Sequence, residues 1–121
     1  MAKRILVIED QEDNRRIVRD LLTSVGYELI EAATGEQGVA LAESERPDLI
    51  LMDIQLPGLD GYEATRQIRA RPDLGKVPII AVTSYALSGD DVKALEAGCD
   101  AYVTKPFSPR ALLAKVREYL G

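Results

Sequence analysis

The chain has no histidine and a single cysteine among its 121 residues. The first absence removes Ser-His and Cys-His catalysis, every histidine-held metal site and any role as a phosphohistidine carrier. A resident metal would have to be held by oxygen, which points to Mg2+, Mn2+ or Ca2+. The lone Cys99 cannot close an internal disulfide, so its simplest role is a small packed residue and its simplest home a reducing cytoplasm. Long hydrophobic runs are missing too: no stretch approaches the ~18 apolar residues that cross a bilayer. No signal peptide is visible, because Met1-Ala2-Lys3-Arg4 leads straight into a strand-like run. Basic residues are in deficit, 15 Lys and Arg against 20 Asp and Glu, for a net charge of −5. That balance disfavours nucleic acid or an anionic membrane as the main partner.

What is present is ordinary globular material, with 46% hydrophobic and 29% charged residues, in a length suited to one domain. Apolar runs recur at Arg4–Glu9, Tyr27–Ala32, Asp48–Asp53, Val77–Thr83 and Ala101–Thr104. The first, third and fourth are continuous in Ile, Leu and Val, the pattern of parallel strands buried on both faces. Helical periodicity fills the gaps. Ile17, Val18, Leu21, Leu22 and Val25 give the first helix an apolar stripe, ended by Gly26. Gly35–Glu45 and Asp60–Arg71 are predicted as the second and third helices, with Asp60 as N-cap and Pro72 as stop. Ser88 to Gly98 reads as a fourth helix whose thin stripe rests on Val92 and Leu95. Ser108-Pro109 opens a fifth, with Leu112, Leu113, Val116 and Leu120 facing inward. Strict alternation of strand and helix implies an α/β domain: a doubly wound five-stranded parallel sheet of order 2-1-3-4-5, flavodoxin-like in topology. Ligands in such folds bind beyond the carboxyl ends of the strands, at the switch point between strands one and three.

Three acids fall at those two strand ends, Glu9 and Asp10 after the first run and Asp53 closing the third. One acid there would ordinarily be a cap. Three together would repel and raise one another's pKa, and a hard divalent cation resolves the conflict. The fourth run ends in Thr83-Ser84 and the fifth in Thr104-Lys105-Pro106, bringing a hydroxyl and an ammonium to the same rim. The proline restricts the backbone of Lys105 and permits a cis peptide. Carboxylate nucleophile, metal, lysine and hydroxyl together read as a phosphoryl site.

The set Glu9-Asp10, Asp53, Thr83 and Lys105-Pro106, with "LILMDIQLPGLDG" and "GCDAYVTKPF", resembles the receiver domains of response regulators (CheY-like) over essentially the whole chain. The texts "VPIIAVTSYALSGD" and "GCDAYVTKP" are most similar to stand-alone receivers of the DivK type and to receivers fused to hybrid kinases. The resemblance implies a single receiver domain over residues 1–121, with nothing left over for an output domain. It implies Asp53 as phosphoacceptor, and Mg2+ held by Asp10, Asp53 and the backbone carbonyl of Gln55, with Glu9 orienting a metal-bound water. Glu9 stands where Asp is commoner. Lys105 and Thr83 would each contact a phosphoryl oxygen, and Tyr102 would turn inward as Thr83 moves. Gln55 and Tyr85 match positions that tune the lifetime of the phosphoryl group, and Ser84 stands where a small alanine is frequent.

The expected function is therefore a signalling switch in a two-component phosphorelay. Asp53 accepts a phosphoryl group from a histidine kinase or histidine phosphotransfer protein, and the face of the fourth helix, fifth strand and fifth helix signals to a downstream protein. At most slow autodephosphorylation is expected, not enzyme turnover, from a monomer that could dimerise. An aspartate-nucleophile phosphohydrolase of the haloacid-dehalogenase type would need a second Asp where Gln55 stands, and a cap domain. A nucleotide or flavin domain would need a G-x-x-x-x-G-K-[ST] or G-x-G-x-x-G turn after the first strand, and neither is there. A pure interaction module with an unused site is the third alternative, opposed by intact Asp53, Lys105 and Thr83. Arg15, Arg16 and Arg19 read as a solvated face of the first helix. The acids between Gln11 and Asn14 suit that helix's positive start.

Overall fold

The computed structural model describes residues 2–83, 90–105 and 108–120. Five strands, β1 (Arg4–Ile8), β2 (Glu28–Ala32), β3 (Leu49–Asp53), β4 (Ile79–Thr83) and β5 (Ala101–Thr104), alternate with five helices. These are α1 (Glu12–Ser24), α2 (Gly35–Glu45), α3 (Gly61–Arg69), α4 (Asp90–Ala97) and α5 (Pro109–Leu120). All strand pairs are parallel and the order is β2-β1-β3-β4-β5. The expected doubly wound sheet is the one observed.

Strand periodicity divides the core. Leu6, Ile8, Ile50, Met52, Ile79 and Ala81 face one side, packing with Val39, Ala42, Ala64, Ile68 and Ala94 of α2, α3 and α4. Ile5, Val7, Leu49, Leu51, Ile80, Val82 and Val103 face the other, against Val18, Leu22, Leu112 and Val116 of α1 and α5. β3 and β4 are buried along their whole length, as continuous aliphatic runs demand when helices cover both faces.

Capping follows the expected chemistry. The Asp60 carboxylate accepts from the Glu63 amide at 2.9 Å, and Ser108 accepts from the Ala111 amide at 3.2 Å ahead of Pro109. Glu12 and Asp13 occupy the first turn of α1, and Gly26 follows its C-cap at a φ of 96°, a conformation open to glycine without Cβ strain. Pro72 does more than stop a helix: α3 ends at Arg69 and Pro72 opens a 3-10 turn, Pro72–Leu74.

Two apolar stripes differ from expectation. On α1, Val18 and Leu22 are buried, but Ile17 is 52% and Val25 40% exposed. Ile17 lies one residue, about 100°, off the buried line, and Val25 has left the helix as its C-cap. On α4 the bulky Val92 and Leu95 are exposed while Ala94 and Ala97 are buried. Positions 92 and 94 lie roughly 200° apart on a helical wheel, so packing through alanines turns the larger side chains outward. The expected start of this helix at Ser88 lies outside the described residues.

Candidate functional site

The same period-two alternation that sorts the core also assembles the site. Counting along face-sharing positions, Ile5 and Val7 lead to Glu9, Leu49 and Leu51 to Asp53, and Ala101 and Val103 to Lys105. The ladder continues past the strand ends to hold these residues in line: the Glu9 amide donates to the Ala32 carbonyl at 3.0 Å, and the Lys105 amide to the Thr83 carbonyl at 2.7 Å. Glu9 and Asp53 are almost wholly buried, at 4% and 3% exposure.

Lys105 Nζ bridges the two acids, 2.8 Å from Glu9 Oε1 and 3.3 Å from Asp53 Oδ2. Asp10 joins them: one carboxylate oxygen from each of Glu9, Asp10 and Asp53 lies within 4.8 Å of the others. The Gln55 amide donates to Asp53 Oδ1 at 3.0 Å, so Asp53 is gripped on both oxygens. The close seat of α3 fixes this exit of β3. A Cβ on Gly61 would stand 2.4 Å from the Asp53 carbonyl oxygen, so only glycine lets the helix start approach so nearly.

Thr83 is fully buried and on the opposite parity, with Ala81. Its Cα partner across the sheet is Thr104, and that of Ala81 is Tyr102, so Thr83 and Tyr102 share one face. Tyr102 is 38% exposed. The Gln55 side chain donates to Thr83 Oγ1 at 3.2 Å, a link between strand ends that spacing alone did not reveal. Ser84, Tyr85 and Pro106, named from sequence, lie outside the described residues.

The electrostatics are unbalanced. Burial pushes the Glu9 carboxyl above its ordinary pKa and neighbouring Asp53 pushes the same way, with Lys105 offsetting only part. Burial and then Glu9 raise Asp10. For Lys105 burial acts downward, but Glu9 and Asp53 together outweigh it and hold the ammonium above its usual value. Lys105 bridges two of the three carboxylates, and among the described residues Glu9 Oε2 is buried with no hydrogen-bond partner. A buried, unpaired carboxylate oxygen is costly. The oxygen-only donors fit a small hard cation such as Mg2+, which binds through one or two carboxylates and completes its shell with other oxygens.

Sequence reading missed one contributor. Arg15 was expected on a solvated face, yet its side chain is only 16% exposed, and Nη1 donates to the Glu9 carbonyl at 2.7 Å. Arg19 does remain a surface residue, paired with Glu31 through two 2.8 Å contacts. Cys99 is buried beside the Thr65 hydroxyl at 3.7 Å, and burial raises its thiol pKa, so it is packing material as expected.

Known proteins share this arrangement. The family model for the response regulator receiver domain matches residues 5–117. The polar-differentiation response regulator DivK of Brucella anthropi is 41% identical over 121 residues, which are all of this chain and 98% of that protein. DivK of Brucella ovis is 40% identical over the same span. Among solved structures, the receiver domain of a sensor histidine kinase from Pseudomonas aeruginosa is 43% identical, with a TM-score of 0.94 over 100% of this chain and 99% of that one; its crystal structure has a magnesium ion coordinated in the active-site cleft. The chemotaxis protein CheY4 of Vibrio cholerae is 26% identical with a TM-score of 0.93, over 98% and 99% of the two chains. With the sheet order, the buried acids and a full-length match in agreement, this chain belongs to the response regulator receiver domain family.

Proposed function

We propose that this protein is a phosphorylation-dependent switch of a two-component phosphorelay, with Asp53 as phosphoacceptor. The observation that carries the reading is the Asp53 carboxylate, buried, bridged by Lys105 and placed within an acidic cluster. Asp53 attacks the phosphorus of a phosphohistidine on a partner kinase or phosphotransfer protein. A P–O bond forms, the P–N bond breaks, and the partner imidazole leaves. Asp10, Asp53 and the backbone carbonyl of Gln55 would hold Mg2+, and Glu9 would orient a water on it. When bound, the ion would supply charge neutralisation on the phosphoryl oxygens. Lys105 neutralises a further oxygen and Thr83 donates its hydroxyl to another.

The modification adds roughly −1.5 to −2 of charge to a pocket that is already acidic. Lys105 must then divide itself between Glu9 and the new oxygens, and the Thr83 hydroxyl, whose oxygen accepts from Gln55, turns to donate to a phosphoryl oxygen. The movement of Thr83 lets Tyr102, on the same face, turn inward. The signal leaves through α4, β5 and α5, where an open groove of about 510 Å3 runs past Leu95, Tyr102, Thr104, Ala111 and Lys115. Exposed Leu95 in its lining, with exposed Val92 one turn earlier on α4, gives a downstream protein an apolar contact that changes with Tyr102. Gln55, Ser84 and Tyr85 tune the lifetime of the phosphoryl group.

Residues 1–121 act as one receiver domain in the cytoplasm; among the described residues no helix is long and apolar enough to cross a membrane. Labelling with acetyl phosphate and Mg2+, read by intact mass and by the acid stability of the adduct, tests the assignment. The expected result is one acyl phosphate in the wild type and none in Asp53→Asn; equal labelling of that variant refutes it.

A further inference from the structure

We infer that Arg15 is a positioning residue for the cation site, fixing the Glu9–Asp10 turn in the geometry that a small octahedral ion requires. The inference rests on the Mg2+ reading above and goes beyond it to a residue outside the ligand set.

The Glu9 carbonyl lies one residue past the end of β1, and it accepts the Arg15 Nη1 donor at 2.7 Å. The same guanidinium contacts Glu31 Oε1 at 3.4 Å and pairs with Glu12 through Nη2. One planar fork therefore ties the exit of β1 to the first turn of α1 and to edge strand β2, a task a lysine ammonium with its flexible stem and point charge cannot reproduce. The peptide that follows Glu9 carries Asp10. Rotation of that peptide moves both carboxylates, and Glu9 is already anchored through its amide to Ala32 and through its carboxylate to Lys105. Arg15 supplies the remaining anchor, on the carbonyl.

The sign of the effect separates positioning from simple charge. Arg15 is a cation close to a cation site, so by charge alone its removal would strengthen metal binding. As a positioning residue its removal weakens binding instead. The loss falls more heavily on Mg2+, which demands near-ideal octahedral geometry, than on Ca2+, which accepts flexible coordination.

The test is titration of the full chain with Mg2+ alone and with Ca2+ alone, followed by amide NMR shifts and calorimetry well below the unfolding midpoint. Arg15→Met and Arg15→Lys are compared with the wild type and with Arg19→Met, which breaks the neighbouring Glu31 pair but leaves the Glu9 carbonyl contact. Loss of an outer-shell partner typically lowers metal affinity about 10- to 100-fold, and that is the expected loss of Mg2+ affinity in Arg15→Met, with a smaller loss for Ca2+, a partial loss in Arg15→Lys and little change in Arg19→Met. Unchanged or tighter Mg2+ binding by Arg15→Met overturns the inference, as do equal losses for the two ions, full rescue by lysine or equal damage from Arg19→Met. Should Arg15→Met fail to fold, Arg15→Lys carries the test by the same criteria. Absence of saturable Mg2+ binding in the wild type sinks the metal reading itself, a result distinct from all of these.

Discussion

The two ends of the sheet are built on opposite principles. At the amino ends of the strands, Arg69 donates to the carbonyls of Gly98, Leu74 and Val77 and pairs with Asp100. Asp100 in turn accepts from the Ile79 amide at 2.8 Å, and Arg4 engages Glu45 and Asp48. Each of these charged groups has a partner there, and Arg69, Asp100, Arg4 and Asp48 each fix a backbone group. At the carboxyl ends, Lys105 bridges two of three clustered carboxylates, and among the described residues one buried carboxylate oxygen has no hydrogen-bond partner. The first rim holds elements together, while the second, on the function proposed above, keeps binding capacity in reserve for a cation and a phosphoryl group. The contrast matches the general pattern in which stability and function draw on different parts of a fold.

Breaking the satisfied end should cost most. Arg69→Ala takes the guanidinium donor from three carbonyls and leaves Asp100 with only the Ile79 amide of the donors named. Charge-assisted hydrogen bonds contribute ~1.5–3 kcal/mol each but do not add simply, so an overall loss of about 3 kcal/mol is expected, read as a lower urea midpoint at unchanged slope. Mg2+ affinity should stay near wild type, since Arg69 touches nothing at the other rim.

Gly61→Ala acts on the functional end through packing. Its new Cβ meets the Asp53 carbonyl oxygen and the Ile54 Cα, at 2.4 and 2.6 Å, and both are backbone atoms that cannot swing aside. Overpacking of this kind costs about 1–3 kcal/mol. Here, unlike Arg69→Ala, the loss of stability should come with impaired acyl-phosphate labelling, because the shifted backbone carries Asp53, the proposed acceptor. Unimpaired labelling would mean that the approach of α3 is a packing matter alone.

Much of this contrast could be read from the residues alone, and the part that could not has physical causes. Sheet order followed from alternation, and the acidic cluster from three acids at two strand ends, because a strand's period of two and the handedness of its connections leave few arrangements. Arg15 escaped because its role is set by a backbone carbonyl, which carries no mark in the sequence. Val92 and Leu95 are the bulkiest apolar residues of α4 and suggest its buried stripe, whereas the helix packs closely through Ala94 and Ala97. The Gln55–Thr83 link was hidden for a third reason: it joins the ends of β3 and β4 through rotamers that spacing does not specify.

The smallest predicted effect concerns the unmatched charge itself. Asp10 has its pKa raised, by burial and then by Glu9, and so does Glu9. For acids the sign is unfavourable to the ionised fold: between the ordinary and the raised pKa the folded state binds more protons than the unfolded, so stability falls as pH rises through that window. Asp10→Asn removes the ionisation at one member and relieves the other. Without Mg2+ it should unfold a few degrees higher than wild type at neutral pH. The advantage should shrink as pH drops toward the ordinary carboxylate range and Asp10 becomes neutral in the wild type as well. Added Mg2+ should reverse the order, since binding stabilises only the chain that keeps its ligand. Thermal melts of both chains across pH, with and without the ion, measure this directly. A variant less stable than wild type in the absence of metal would show that the acidic rim is as well satisfied as the rim at the amino ends, and the contrast between the two ends would fail.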